Sequence, residues 1–151
     1  MNQPLNKISD QDLRQEYARR FCLKAGAEIT DSVTAARHFL QELTRDPARE
    51  VFAVMYLNGS NYYITSEILF KGTLTSSPVF PREIIRQALA YNAAAVILAH
   101  NHPSGNPKPS RDDLAVTKKI QRACETVDIV VHDHLILAGK NYFSLKEQGL
   151  L

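Results

Sequence analysis

The segment AHNHPSGNPKPSRDD, residues 99–113, concentrates the chemistry of this chain. His100 and His102 stand two apart at the end of an apolar run. In an extended segment that spacing puts both imidazoles on one face. Two imidazoles on a rigid strand end can hold a metal ion at about 2.0–2.1 Å with little backbone adjustment. Asp113 follows a loop that contains three prolines and one glycine, stiff enough to fold a carboxylate back toward the strand end. Two histidines and a carboxylate leave a fourth position open, the pattern of catalytic rather than structural zinc. Zn2+ is therefore the expected cofactor. Such an ion lowers the pKa of a water toward about 7 and polarises a neighbouring carbonyl. Glu50 is the candidate general base, although spacing alone does not place it above Glu67 or Glu83. Ser110 is the candidate donor to the oxyanion that forms during attack.

Each residue also has an ordinary role to weigh. Asp113 suits a helix start, where a carboxylate meets the helix dipole. Ser110 suits an N-cap, and both of its roles can hold together. Glu50 suits an exposed strand end. A second pair, His132 and His134, flanks Asp133 without a Pro/Gly loop or a downstream Ser-x-x-Asp. It reads as a competing metal site or, preferably, as a structural pair with one imidazole behind the zinc. Residues 100–102 spell HNH, but nucleases of that name spread those residues widely, so the string is a coincidence. Nucleobase deaminases need H-x-E and P-C-x-x-C, and neither is present.

The elements that must position these groups follow from periodicity and turn chemistry. Ser9-Asp10 opens a helix expected to reach about Ala25. Asp31-Ser32 caps a second, with Val33, Ala36, Phe39, Leu40 and Leu43 at helical spacing. Residues 50–57 read as a strand, Asn58-Gly59 as a tight hairpin turn, and residues 61–72 as the partner strand. Pro81 starts a helix through about Asn92. The run AAAVILA, residues 93–99, reads as a strand covered on both faces. Ser110-x-x-Asp113 opens a helix through about Thr126 as a capping box. Two strands near 128–131 and 133–138 follow, then a short one at 142–145. Residues 1–8 read as an irregular end.

Composition narrows the classes. The 151 residues are 44% hydrophobic and 23% charged, ordinary for a globular domain. No apolar stretch is long enough to span a bilayer, and the start is not a signal peptide, so no membrane partner and a cytoplasmic location are expected. The net charge of +2 gives no argument for nucleic acid. Arg14, Arg19, Arg20 and Lys24 are interspersed with acids and read as a solvated helix face. Cys22 and Cys124 are far apart, which excludes a disulfide scaffold and a thiolate zinc site.

His100-x-His102, seven residues, then Ser110-x-x-Asp113 resembles the JAMM signature of the MPN/JAB metallopeptidases. The finer text HNHPSGNPKPSRDD resembles the RadC-like (UPF0758) branch. So do Glu50-Val51-Phe52, Gly72-Thr73-Leu74 with Ser76-Ser77, Pro81-Arg82-Glu83 and Asp133-His134. The resemblance covers about residues 30–151 and leaves 1–29 as a partly helical N-terminal extension. It implies an α/β fold, an α-β-α sandwich with a mixed sheet of the JAB/MPN type, similar to that of cytidine deaminases. It implies zinc on His100, His102 and Asp113, Glu50 as base and Ser110 as the oxyanion donor. Relatives in the superfamily cleave peptide or isopeptide bonds, often beside ubiquitin-like tails, so a peptide or protein substrate is expected. Full-length RadC-like proteins carry a longer N-terminal helical region, and this chain reads as a short, stand-alone member. The competing reading is a DNA-repair-associated accessory or binding protein with zinc structural or vestigial, its nucleic-acid partner resting on family association only. An inactive scaffold is the third, and the intact Glu50, His100, His102, Ser110 and Asp113 argue against it.

Overall fold

A computed structural model of the chain describes residues 7–72 and 78–151. Among these residues the elements run α1 (Asp10–Phe21), α2 (Ser32–Leu43), β1 (Val51–Leu57), β2 (Tyr63–Lys71), α3 (Pro81–Ala90), β3 (Ala95–Asn101), α4 (Arg111–Glu125), β4 (Val130–Ala138) and β5 (Asn141–Ser144). The five strands form one sheet in the order β2-β1-β3-β4-β5. β3 and β4 are parallel and the other neighbours antiparallel, so the sheet is mixed as expected. No described helix is long and apolar enough to cross a membrane.

β1 and β3 are the covered centre of the sheet, and every residue of both is buried. Their side chains alternate between two apolar layers. Ala53, Met55 and Ile97 face α2, packing with Ala36, Phe39 and Leu43. Val54, Tyr56 and Leu98 face α3 and α4, packing with Ile84, Ala88 and Ile120. That is the expected α-β-α sandwich.

Several boundaries differ from expectation for local reasons. α1 stops at Phe21 because the Leu23 amide donates to His38 Nδ1 at 2.9 Å instead of continuing the helix. Asn58-Gly59 is not a two-residue turn: the Asn58 side chain accepts from the Ser60 and Tyr62 amides, and Asn61 supplies the left-handed residue at φ 63°. Ala93 and Ala94 precede β3. Asn92 turns left-handed at φ 53°, and the Ala93 amide donates to the Ala88 carbonyl at 2.8 Å, a Schellman ending that uses the start of the apolar run to close α3.

The largest difference lies in β4. Two strands were expected at 128–131 and 133–138, and one strand spans Val130–Ala138. The register against β3 shifts there: Val131 pairs with Val96 and Asp133 with Ile97, so His132 is an extra residue, a β-bulge. The bulge reverses the alternation. Val131 packs with the α3/α4 layer, whereas Leu135 and Leu137 pack with the α2 layer. The broken alternation is what made one strand look like two.

Candidate metal centre

Four side chains converge where the C-terminal end of β3 meets the entry of β1 and the first turn of α4. One ligand atom from each of Glu50, His100, His102 and Asp113 lies within 4.8 Å of all the others. Among the described residues no other such group forms.

The backbone explains each placement. β1 pairs antiparallel with β3, with Phe52 opposite His100, which brings Glu50 alongside His102. Asn101, between the two histidines, secures this register. Its Oδ1 accepts from the Val51 amide and its Nδ2 donates to the Arg49 carbonyl, both at 2.7 Å, so one buried side chain grips the backbone on either side of Glu50. The Gly72 amide donates to the Glu50 carbonyl at 2.8 Å. His102 extends the ladder past β3, its amide donating to the Leu137 carbonyl at 2.8 Å. Asp113 is fixed by the capping box: its amide donates to Ser110 Oγ at 3.0 Å and its Oδ2 accepts from the Ser110 amide at 2.8 Å.

The functional atoms face one another. His100 Nε2 and His102 Nε2 are 2.9 Å apart. Asp113 Oδ1 lies 3.2 Å from His100 Nε2, and Oδ2 lies 3.1 Å from His102 Nε2. Ligands about 2.0–2.1 Å from one tetrahedral ion stand about 3.3 Å from each other, so these spacings suit a shared ion. The cluster is graded in exposure. His100 and Asp113 are buried, while Glu50 and His102 are half-buried, which leaves the site reachable from one side. The donor set, two imidazoles with two carboxylates, can hold a metal ion.

The electrostatics follow from this packing. Burial raises the Glu50 carboxyl above its ordinary value; His100 and His102 oppose the shift and Asp113 adds to it. Burial also pushes on Asp113, but the imidazoles of His100 and His102 beside it outweigh it and hold that carboxyl far below its usual range. His102 is raised, chiefly by the Asp113 carboxylate beside it. Burial holds the His134 imidazole well below its ordinary value.

Glu67 and Glu83 stay out of the cluster. Glu67 meets the Tyr91 hydroxyl and Glu83 binds Arg86. The bulge separates His132 from His134, so they are not a metal-binding pair: His132 Nε2 meets Asn61 Oδ1 at 2.7 Å, while His134 Nε2 meets His100 Nδ1, also at 2.7 Å.

A family model described as the RadC-like JAB domain matches residues 29–150. The chain belongs to that family. Curated relatives agree. It is 47% identical over 129 residues to a UPF0758 protein of Photobacterium profundum, covering 85% of this chain and 57% of the relative. It is 46% identical over 139 residues to a UPF0758 protein of Cellvibrio japonicus, covering 90% of this chain and 62% of the relative. A third, from Thiobacillus denitrificans, is 47% identical over 139 residues with the same coverages, 90% and 62%. The chain thus spans roughly three fifths of the length of the relatives it matches.

Within this RadC-like domain the other motif residues have visible work. The buried Asp133 carboxylate accepts from the Ser32 and Ser144 hydroxyls and from the His134 and Lys146 amides, latching α2 and β5 to β4. Pro81-Arg82-Glu83 opens α3. Glu83 pairs with Arg86 at 2.9 Å, and Arg82 lies over the Phe80 ring. Thr73, Leu74, Ser76 and Ser77 lie outside the described residues. Sequence reasoning missed Asn101, Asn106 and Thr117. Thr117 had a legible signal, since it stands one helical turn after Asp113 on the same face.

Proposed function

We propose that this RadC-like domain is a zinc-dependent hydrolase of peptide or isopeptide bonds, acting in the cytoplasm on a peptide or protein substrate. The observation that carries the reading is the convergence of a buried carboxylate, two imidazoles and a second carboxylate of raised pKa on one reachable point. His100, His102 and Asp113 would hold the ion, leaving one position open. Zinc bound there would supply Lewis acidity toward a carbonyl and acidify a water.

The chain's own residues supply the rest. Glu50 takes the proton of the attacking water, from a half-buried carboxyl held beside the two imidazoles. The same carboxyl then delivers that proton to the departing amine. Ser110 Oγ accepts from the Asp113 amide through a lone pair, so its O–H remains free to donate to the oxyanion. The cap and the oxyanion donor are thus compatible in one side chain.

The accessory DNA-binding reading draws little from α1. Arg19 and Arg20 both pair with Glu16, at 2.7 and 2.5 Å, which neutralises part of its basic face.

The test is metal content by elemental analysis, paired with turnover of a peptide and isopeptide library. Wild type is expected to carry about one zinc per chain, His102→Ala and Asp113→Ala to lose it, and Glu50→Gln to keep it while losing turnover by about 10²-fold or more. Wild type that takes up no zinc on reconstitution would sink the reading.

A further inference from the structure

Behind the metal cluster lies a buried chain of hydrogen bonds that no step above uses. His100 Nδ1 meets His134 Nε2 at 2.7 Å. His134 Nδ1 meets Thr117 Oγ1 at 2.5 Å. Thr117 Oγ1 donates to the Asp113 carbonyl at 2.6 Å. All four residues are buried, and Phe52 packs against both imidazoles.

The hydrogens of this chain have one self-consistent order. A carbonyl can only accept, so the single hydroxyl hydrogen of Thr117 goes to Asp113. The Thr117 oxygen must then accept from His134 Nδ1–H. A neutral imidazole with Nδ1–H carries a lone pair on Nε2, and that lone pair accepts from His100 Nδ1–H. His100 is left with a bare lone pair on Nε2, the atom that faces His102 and Asp113. His102 reaches the same tautomer by a local route, with Nδ1 2.8 Å from the Asn106 carbonyl in the loop.

We infer that Thr117 and His134 are positioning residues that hold His100 in the Nδ1–H tautomer and present its Nε2 lone pair to the metal. The inference rests on the proposed metal site, whose two ligands from β3 and α4 the relay joins. A ligating histidine ordinarily donates its other N–H to a carbonyl, carboxylate or water. Here the acceptor is another histidine, which has two possible tautomers. A third group must therefore choose between them, and Thr117 does so because its own hydrogen is committed one turn back along α4. The β4 bulge belongs to the same device, since it sets His134 on the His100 side of the sheet and Asp133 on the α2 side, and so lets one strand serve both the latch and the relay.

The test uses the full chain and the variants Thr117→Val, Thr117→Ser, His134→Leu and His134→Gln. Zinc affinity is read by chelator competition, folding by thermal unfolding of the metal-free proteins, and the tautomer of His100 by long-range 1H–15N NMR. The expected result is Nδ1–H at His100 in metal-free wild type. Thr117→Val and His134→Leu should weaken zinc about 10–100-fold. Thr117→Ser keeps the hydroxyl and should bind as wild type. His134→Gln offers an amide oxygen to His100 and should recover much of the loss of His134→Leu. Nε2–H at His100 in metal-free wild type, or wild-type zinc affinity in folded Thr117→Val and His134→Leu, would overturn the inference and leave the hydrolase reading standing. Absence of zinc from wild type itself would overturn both.

Discussion

Asn101 carries a prediction at the scale of a single residue. Its side-chain amide satisfies one donor and one acceptor, the Val51 amide and the Arg49 carbonyl, on the two sides of Glu50. Removing it as Asn101→Ala leaves both groups without that partner in a buried setting. The expected cost is about 1–3 kcal/mol in urea unfolding. Because the clamp bears on Glu50, the proposed base, rather than on the proposed ligands, kcat is expected to fall well before zinc affinity does. Equal losses in the two would show that the residue only supports the fold. The tripeptide His100-Asn101-His102 thus divides its labour by face. The two outer side chains enter the cluster and the middle one fixes the strand that brings Glu50.

At the scale of the element, α4 depends on Ser110 twice. The capping box stabilises its first turn, and the same turn carries Asp113. Ser110→Ala is expected to cost about 1 kcal/mol, and Ser110→Gly only a few tenths. Both lack the hydroxyl, so both are expected to lose turnover by about 10²–10³-fold if Ser110 donates to the oxyanion. The two variants therefore separate the cap from the chemistry: unequal stability with equal loss of kcat supports both roles, whereas turnover that tracks stability leaves only the cap. The helix starts were legible in sequence because Ser9, Asp31 and Ser110 act within three residues of themselves. The helix and strand ends were less so. His38 takes the Leu23 amide from 15 residues away, and the β4 bulge is a matter of pairing with β3, which no local pattern announces.

At the scale of the whole molecule, two measurements test how the layers are coupled. The first is metal removal. The cluster sets two imidazole lone pairs and a carboxylate against one another, and an ion that binds only the native state adds to its stability. At a free zinc concentration 100 times Kd the gain is about 2.7 kcal/mol. For a domain of this size that is roughly 5–10 °C in Tm, which a chelator should abolish in wild type and leave unchanged in Asp113→Ala. The second is pH. His38 joins three segments: its Nδ1 accepts from the Leu23 amide and its Nε2 meets Ser66 Oγ on β2 at 2.7 Å. Burial lowers its pKa from 6.5 to about 4. Between those values the unfolded chain binds a proton that the native one refuses. The contribution is complete above about 6.5 and is lost as pH falls toward 4, on the order of 3 kcal/mol. His38→Asn should flatten the wild-type slope of the urea midpoint in that window; an unchanged slope would assign it to other groups.

The sequence by itself determined what depends on near neighbours. Alternation and helical spacing set the α/β layering, and the i, i+2 spacing put both imidazoles on one face. Ser110-x-x-Asp113 set the cap, and the motif text set the family. Residue type and spacing left open which carboxylate joins the histidines; the motif text implied Glu50, and the tertiary structure shows how it gets there. Glu50, Glu67 and Glu83 are alike in type, and the antiparallel pairing of β1 with β3, Phe52 opposite His100, selects the first. It also decided that His134 turns toward Thr117 while Asp133 turns toward Ser32. Side-chain direction within a strand is a local property, but the register between strands is set by the packing of both faces at once, and a single bulge reverses it.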